Sequence, residues 1–541
     1  MRIWENIKKR WRGLVQRTAG AAGVAREFKD IFELGGVPAF NQFYAFGIFV
    51  WKALYRGLYR PWHVIPAPTV HDARARRELY RLNTAKAVCA ELASLTWGEE
   101  CAINVSMAGR ESTDESPDPL NEFVQDVLRG NAFGEKMQEL IEQALALGGA
   151  AVKVWREVRR DREGNELPGS ERVRLGYCMA DQFVPTAWDN ARVTEGVFIS
   201  RRAKGGYYYT RLEWHKWDGL TYVVTNELYR ADMQKGAAGE DSQDILGIRW
   251  PLAEVYPFLD EVTTIPVEDS LFSYFRTPIA NNLDDNSPLG VSLYGNALET
   301  LHALDICYDS FVREFRLGKK RIIVPARAVR TVVDPETGAL RRYFDATDET
   351  YEALASDNPD DLKITDNSVT LRVEEHVAAL NAFLSILCLQ VGFSASTFSF
   401  DERGGLKTAT EVISENSKTY KTIKTVQNQL RPALEHMIRS IVDVAILYGM
   451  QWQGQSVESL AAGGYEVSVV FDDGVTQDRQ TNINEGVMLV GAGLLSKKTF
   501  MTDPKYGQGL TPEQADAELA QIRAEGTGNA VDVTKLFGGM E

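Results

Sequence analysis

The chain has 541 residues and a formal net charge of −15, with 44% hydrophobic and 25% charged residues. This length suffices for several compact domains, and the composition is that of a folded protein, which excludes extensive disorder. The negative charge excludes a protein that wraps nucleic acid with a general basic surface, but it allows one that lets DNA pass without holding it.

The first part of the chain combines a basic segment with a short apolar one. Lys8, Lys9, Arg10 and Arg12 stand among apolar residues, and the run 43–51 is strongly apolar. That run has about half the length of a bilayer-spanning helix, so no transmembrane segment is predicted. The basic segment has two interpretations: an exposed helix face, or a helix that binds a membrane surface or nucleic acid.

Helices are predicted up to about residue 150 and strands from there to about residue 270. Three stretches have the apolar spacing of amphipathic helices: 72–97, 118–129 and 133–148. Further on, Asp218-Gly219 separates two runs rich in aromatic and β-branched residues. This pattern predicts a hairpin with a type I′ turn at the Asp-Gly pair.

A long helix is predicted from Ser287-Pro288 to residue 318, because serine can cap a helix and proline suits its first turn. Along it, apolar residues recur in alternating steps of three and four, which forms one stripe. The stripe consists of Tyr294, Leu298, Leu301, Leu304, Tyr308, Phe311 and Phe315. It is either an ordinary buried face or a surface that contacts neighbouring subunits.

This helix ends at the basic residues Lys319, Lys320 and Arg321, and the sequence after it has the pattern of strands. Strands are predicted at 321–324, 329–333, 340–344 and 368–373. A second long helix is then predicted at 374–391.

The segment 394–408 has no regular period, and its small polar residues and its Gly404-Gly405 pair predict a mobile loop. A third long helix, bent near Pro432, is predicted at 409–448, and short helices are predicted after it.

No motif of a catalytic site is present. The sequence lacks the phosphate-binding pattern GxxxxGK[ST], and no GxGxxG follows a strand. The six histidines are isolated, without metal-ligand spacing, and the five cysteines lie far apart, as expected for reduced thiols. We therefore predict no enzyme activity, no cofactor and no metal.

Several segments resemble the portal proteins of long-tailed bacteriophages, in particular the family typical of phages of Gram-positive hosts. The most specific are 272–282 (FSYFRTPIANN), 287–290 (SPLG), 304–305 (LD) and 314–322 (EFRLGKKRI). Further similarities lie at 83–95, 209–215, 226–229, 408–412 and 493–496. The resemblance runs in order from about residue 80 to residue 525, and residues 1–70 resemble nothing known.

The resemblance implies an α+β portal fold with an α/β wing, a two-helix stem, a small β-containing clip and a helical crown. It implies the following division: wing 1–270 and 409–474, wing-to-stem segment with the first stem helix 271–318, clip 319–373, second stem helix 374–393, tunnel loop 394–408 and crown 475–541.

The resemblance also implies a function. Portal subunits form a ring, here expected to have twelve copies, at one capsid vertex of the virion, and double-stranded DNA is packaged and ejected through it. The implied partners are the terminase large subunit, the major capsid and scaffold proteins and a head-completion or adaptor protein, with assembly in the host cytoplasm and no membrane. The portal hydrolyses no ATP, in agreement with the missing phosphate-binding motif.

Two basic groups are candidate DNA contacts within this resemblance. Arg403 and Lys407 in the tunnel loop are placed to touch DNA phosphates, with Gly404 and Gly405 as the hinge; the alternative is a solvated loop. The cluster of Lys319, Lys320 and Arg321 contacts DNA or the packaging motor, or it only neutralises a helix end.

Three other functions compete with this one. The first is a DNA-processing enzyme such as the terminase, but that enzyme requires a phosphate-binding loop. The other two are a peripheral membrane-binding protein and another phage structural protein.

Overall fold

The structure is a computed structural model. It describes residues 42–68, 72–98, 101–107, 118–190, 192–233, 246–283, 287–318, 321–325, 331–333, 340–342, 351–354, 365–367, 370–395, 397–400, 409–471, 479–503, 506, 515–516, 518–520 and 522. The chain divides into two compact units, the larger within 1–405 and 414–472 and the smaller within 406–413 and 473–541.

Helices and antiparallel sheets both contribute, as the predicted α+β class requires. The helices are α1 (Gln42–Tyr55), α2 (Arg60–His63), α3 (Thr84–Thr96), α4 (Pro119–Gly130), α5 (Phe133–Leu147), α6 (Leu298–Leu317), α7 (Val373–Val391), α8 (Ala409–Leu447), α9 (Val457–Ala461), α10 (Arg479–Gly491) and α11 (Lys497–Thr502), with a 3-10 turn at Leu252–Glu254.

The strands up to the start of α6 are β1 (Val64–Pro66), β2 (Arg76–Glu78), β3 (Ala102–Met107), β4 (Gly149–Glu157), β5 (Arg172–Met179), β6 (Phe183–Asp189), β7 (Arg192–Lys204), β8 (Tyr207–Asp218), β9 (Thr221–Asp232), β10 (Ile248–Trp250), β11 (Val262–Ile265) and β12 (Phe272–Arg276). The later strands are β13 (Arg321–Pro325), β14 (Thr331–Val333), β15 (Leu340–Arg342), β16 (Tyr351–Leu354), β17 (Thr365–Asn367), β18 (Gln451–Trp452), β19 (Gln455–Ser456) and β20 (Tyr465–Val470).

The largest sheet has the order β10-β9-β8-β7-β6, with β11 beside β9, and a second sheet has the order β12-β4-β5. Among the described residues, three further pairs join strands that are not consecutive in the chain: β20 with β3, β13 with β16, and β13 with β17. The β13–β16 pair is parallel, whereas β13 and β17 run antiparallel.

Helices α4 and α5 confirm two of the predicted amphipathic stretches. Asp118 caps α4, since its carboxylate accepts a hydrogen bond of 2.9 Å from the Leu120 amide, and Pro119 occupies the first turn. The stretch 72–97 was predicted to be wholly helical, which is wrong. Its beginning forms β2, and the helix begins only after Asn83, whose φ of 55° interrupts regular backbone.

The β8–β9 hairpin is confirmed, but its turn is displaced by one residue. Asp218 pairs with Thr221 in the ladder, so Gly219 and Leu220 form the turn. Gly219 has a φ of 62°, and Leu220 is not among the residues with positive φ. A glycine with positive φ at the first turn position is typical of type II′, so the predicted type I′ turn is wrong.

The apolar run 43–51 lies within α1, where Ile48, Val50 and Trp51 are buried in the core of the larger unit. The same core includes Ile141 of α5 and Ile438 of α8. Burial inside the chain therefore accounts for the hydrophobicity of this run. None of the helices in the described ranges combines the length and the hydropathy that crossing a bilayer requires.

The first long helix begins later than predicted. Residues 288–297 form turns, and α6 begins at Leu298. Gly290 explains the difference, because a Cβ at this position would lie 2.2 Å from the Gly148 carbonyl oxygen and 2.5 Å from Thr277 Oγ1. This close backbone contact fixes the segment against β4 and β12 instead of allowing a helix.

Strand-rich residues lie between α6 and α7, as predicted, with three of the four predicted strands present as β13, β14 and β15. The strand predicted at 368–373 is wrong for the described part of that range: residues 370–372 lie in no strand, and α7 begins at Val373. β16 was not predicted.

Six of the candidate DNA-contact and hinge residues lie outside the described residues: Lys319, Lys320, Arg403, Gly404, Gly405 and Lys407.

We predict that Gly290→Ala lowers the thermal stability of the protein. The added methyl group would overlap the backbone of Gly148 and Thr277, and such overpacking costs about 2 kcal/mol. Gly130→Ala is the matched control, because no atom lies within 4 Å of a Cβ at that position. Thermal unfolding followed by circular dichroism should show a lower Tm for Gly290→Ala alone; equal Tm values would contradict the close contact.

Candidate functional site at the α6–α7 helix pair

Helix α6 carries two buried carboxylates, Asp305 and Asp309, which are 6% and 4% exposed. Being four residues apart, they lie on one face of the helix, one turn from each other. Both face the segment 63–82, which contains β1 and β2. A buried carboxylate is stable only where hydrogen bonds or opposite charges replace its water, so this segment has to supply them.

Asp305 is held by a histidine and a backbone amide. The two contacts are 3.0 Å from Oδ2 to His63 Nε2 and 2.9 Å from Oδ1 to the Leu82 amide. His63 Nδ1 accepts a hydrogen bond of 3.0 Å from the Tyr59 amide, so the ring carries its proton on Nε2 and donates it to Asp305. The isolated histidine of the sequence is therefore a structural donor.

Asp309 forms a bidentate pair with Arg77, with two nitrogen–oxygen distances of 2.7 Å, and it also accepts a 3.1 Å hydrogen bond from the Tyr80 amide. Burial alone would raise the pKa of Asp309, but the hydrogen bonds from Arg77 and Tyr80 and the positive charge of Arg77 outweigh it and lower that pKa. The ionised carboxylate therefore stabilises the fold.

Helices α6 and α7, called the helix pair below, pack side by side. At their near ends, Glu314 accepts hydrogen bonds of 3.1 and 2.8 Å from Arg372, and the rings of Phe311 and His376 lie 5.4 Å apart. Deeper in the pair, Leu304 of α6 and Leu387 of α7 are fully buried in the core of the larger unit. The two helices are thus joined to each other and, through α6, to segment 63–82.

A serine–histidine–aspartate arrangement also lies in the larger unit. Ser273 Oγ is 2.9 Å from His436 Nδ1, and His436 Nε2 is 3.4 Å from Asp269 Oδ2. Ser273 is only 5% exposed, on a strand that α8 covers, so a substrate cannot reach its hydroxyl group. These three residues connect β12 to α8 and do not form a catalytic site. Across the described residues, no cluster of His, Cys, Asp and Glu could hold a metal ion.

The sequence matches the model of a known protein family over most of its length. The model of the family described as phage portal protein, SPP1 Gp6-like, matches residues 48–529. The chain belongs to this phage portal family. No curated protein matches it significantly.

Family membership confirms several predictions. The chain is a phage portal protein of the α+β class and a structural protein, not an enzyme. Membership implies an oligomeric ring, phage head partners and a place at the capsid vertex of the virion. The match extends the predicted range of similarity at both ends. The division into wing, stem, clip and crown, the subunit number and the Gram-positive host stay predictions.

The helix pair corresponds to the two predicted stem helices, and the structure separates the predicted stripe into three groups. Tyr294 precedes α6 on a turn and is fully buried, so its assignment to the helix is wrong. Leu301 and Leu304 are buried in the subunit's own core, whereas Phe315 is 48% exposed. The intermediate group, which is partly buried against that core, consists of Leu298, Tyr308 and Phe311. Most of the stripe is therefore used within one subunit.

The anchoring residues His63, Arg77 and Asp309 were not predicted as a site, and Asp305 was noted only as part of the family resemblance. One signal was available in the sequence: two aspartates four residues apart, each directly after a residue of the apolar stripe, Leu304 and Tyr308. Such a pair requires buried donors. The donors themselves are more than 220 residues away along the chain, for example Arg77 at a separation of 232.

We predict that Asp309→Asn destabilises the portal subunit by about 2 kcal/mol, because it leaves the partly buried Arg77 without a carboxylate. Glu314→Gln is the matched control: its partner Arg372 is 66% exposed, so the loss of stability should be smaller than for Asp309→Asn. Chemical denaturation of both variants measures the difference.

The pH dependence of the free energy of unfolding is a second test of the Asp309–Arg77 ion pair. Because the pKa of Asp309 is lowered in the fold, its contribution is present above the unfolded-state pKa of about 4 and is lost as the pH falls further. The stability difference between wild type and Asp309→Asn should therefore shrink below about pH 4. A difference that is independent of pH would contradict the ion pair.

Proposed function

We propose that this portal protein forms a ring through which double-stranded viral DNA is packaged and ejected, with the helix pair as the main contact between subunits. The terminase large subunit, the scaffold and capsid proteins and a head-completion protein are the proposed partners. The observation that carries the proposal is apolar surface on the outer faces of both helices.

The outer face of α7 is apolar along about three turns. Ala378, Ala382, Ile386 and Leu389 follow one another in steps of four, four and three, which places them on one side of the helix. All four are exposed, Leu389 to 69% and Ile386 to 45%. A helix face of this kind is stabilised when another surface covers it.

Helix α6 has apolar residues on its outer face as well. Ile306 and Leu317 are 47% and 59% exposed, and their separation of 11 residues is about three turns, so they share one side. Contacts between unlike faces of identical subunits generate a ring when the rotation closes. Apolar faces on both helices fit such head-to-tail contacts.

We expect Leu389→Glu to prevent ring assembly while the subunit stays folded. The added charge would be buried without a partner at the subunit contact, but in the isolated subunit it remains in water. Leu220→Glu is the matched control, because Leu220 is 96% exposed at the β8–β9 turn, away from the helix pair. Native mass spectrometry measures assembly, and circular dichroism measures folding.

A Leu389→Glu variant that assembles like wild type would exclude this face from the subunit contact.

Leu301 differs from Leu389 in its burial. It is 3% exposed in the subunit core, so Leu301→Asp would bury a charge inside the subunit. We expect this substitution to unfold part of the subunit itself.

The tunnel loop is proposed to contact the passing DNA through Arg403 and Lys407, with Gly404 and Gly405 as its hinge. The proposal is supported by the way the start of the loop is held between α7 and α8. It leaves α7 at Gly392, whose φ is 91°, and the Ser394 amide donates a 2.8 Å hydrogen bond to Thr419 Oγ1 of α8. Two cations per loop, in a chain of net charge −15, favour weak phosphate contacts that weaken with salt.

Replacing Arg403 and Lys407 together by alanine should leave ring assembly intact and reduce the length of DNA packaged or retained per particle. Deleting Gly404-Gly405 should have a similar effect, because a stiffer loop cannot follow the DNA. The measurement is genome length per particle at matched portal incorporation. Full-length, stably retained DNA in both variants would contradict a role of this loop in DNA contact.

The clip, which contains β13 to β17, is proposed as the docking site of the terminase. Lys319, Lys320 and Arg321 precede or begin β13, and their charges suit contacts with DNA or with an acidic surface of the motor.

A further inference from the structure

One end of the large sheet carries arginine and aromatic residues on the same face. Directly paired residues of antiparallel strands share a face, and the register pairs Arg202 with Tyr209, and Tyr209 with Arg230. The neighbouring row pairs Lys204 with Tyr207. The arginine–aromatic surface is defined by Arg202, Tyr207, Tyr209, Arg230, Trp250 and Tyr256.

The arginines of this surface are stacked on rings. Cζ of Arg230 lies 3.3 Å from the ring centroid of Trp250 and 4.5 Å from that of Tyr207. Cζ of Arg202 lies 5.2 Å from the centroid of Tyr256. A stacked guanidinium uses its flat face for the ring, while the N–H groups at its edge remain able to bind a carboxylate in a bidentate fork.

The cations here exceed the anions. Within the part of the chain that the structure describes, neither Arg202, Lys204 nor Arg230 has a carboxylate at ion-pair distance. Two acidic residues share this face. Asp232 pairs with Tyr207 in the ladder, and Glu213 is already matched by Lys153 and Arg211. The surface is thus locally positive on a chain of net charge −15.

We propose that the arginine–aromatic surface is the docking site for an acidic peptide segment of a partner protein. Charge complementarity requires an anionic ligand, and planar forks fit carboxylates. In an extended peptide, every second side chain points to the same side, about 7 Å apart, so alternate acidic residues can reach successive arginines. Duplex DNA fits less well, because the negative charge of the whole chain repels its dense row of phosphates more strongly than the few carboxylates of a short peptide.

The test is peptide binding to the full-length protein in its assembled form. The probe is a fluorescein-labelled decapeptide of alternating glutamate and serine, measured by fluorescence anisotropy at low and high salt. A glutamine–serine decapeptide controls for charge, and a labelled DNA duplex of similar length is the nucleic-acid arm. We expect the acidic peptide to bind, to weaken with salt and to bind better than the other two probes.

Arg202→Gln combined with Arg230→Gln should weaken binding of the acidic peptide by about ten-fold or more, since two charge-assisted contacts are lost. The matched control combines Arg129→Gln with Arg439→Gln, two exposed arginines on helices elsewhere, and should bind like wild type. Arg230→Lys keeps the charge but loses the planar fork, so it should also bind more weakly.

Absence of binding by the wild type, equal binding of the glutamine–serine peptide, or unchanged binding by the double variant would overturn the proposal. Tighter binding of duplex DNA that the double variant loses would replace the peptide by nucleic acid. If the double variant does not fold, Lys204→Glu at the exposed end of β7 takes its place, and unchanged peptide binding by that variant counts equally against the proposal.

Ring assembly is measured in the same samples. A double variant that assembles normally but no longer binds the peptide separates this proposal from the proposed role of the helix pair, which involves other residues.

Discussion

The ionic contacts between α6 and segment 63–82 determine where the helix pair lies on the subunit. Asp305 and Asp309 are buried carboxylates, and each has a side-chain donor and a backbone amide from this one segment. Buried charges tolerate little displacement, because moving the helix by one turn would leave at least one of the two aspartates without its donors. They therefore fix the register of α6 more strictly than apolar packing alone, and α7 follows because it packs on α6.

A subunit built in this way is incomplete by itself. The inner faces of the helix pair are buried in the subunit core, whereas the outer faces retain apolar side chains such as Ile306 and Leu389 in water. Such surface is typical of proteins that associate, and ring formation is expected in a portal family. The polar clusters of the larger unit have structural uses: the Ser273–His436–Asp269 arrangement joins a strand to a helix. This agrees with the structural, non-enzymatic role of the phage portal family.

Local patterns in the sequence predicted the elements that depend on neighbouring residues. The apolar spacing of 118–129 predicts α4, and the two runs on either side of Asp218-Gly219 predict the β8–β9 hairpin. The predictions that failed depend on distant contacts. The start of α6 is displaced because Gly290 packs on Gly148 and Thr277, and no local signal reveals such a contact.

The candidate sites also combine features that local sequence patterns predict with features that depend on distant contacts. The apolar stripe of α6 was visible from its spacing, but spacing does not say whether its partner is the same subunit or the next one. The anchoring of Asp309 by Arg77 and the stacking of Arg230 on Trp250 join residues from separate segments or strands. Only the fold brings them together. The family resemblance supplied the portal assignment, which composition and spacing alone did not reach.

The outer faces of α6 and α7 are proposed to form the subunit contact of a ring. A cryo-electron microscopy reconstruction of the purified, assembled protein can show this contact. We expect a closed ring with a central channel, in which the face of α7 containing Ala382, Ile386 and Leu389 is covered by the adjacent subunit. A ring that leaves this face in contact with solvent, or a protein that stays monomeric at all concentrations, would contradict it.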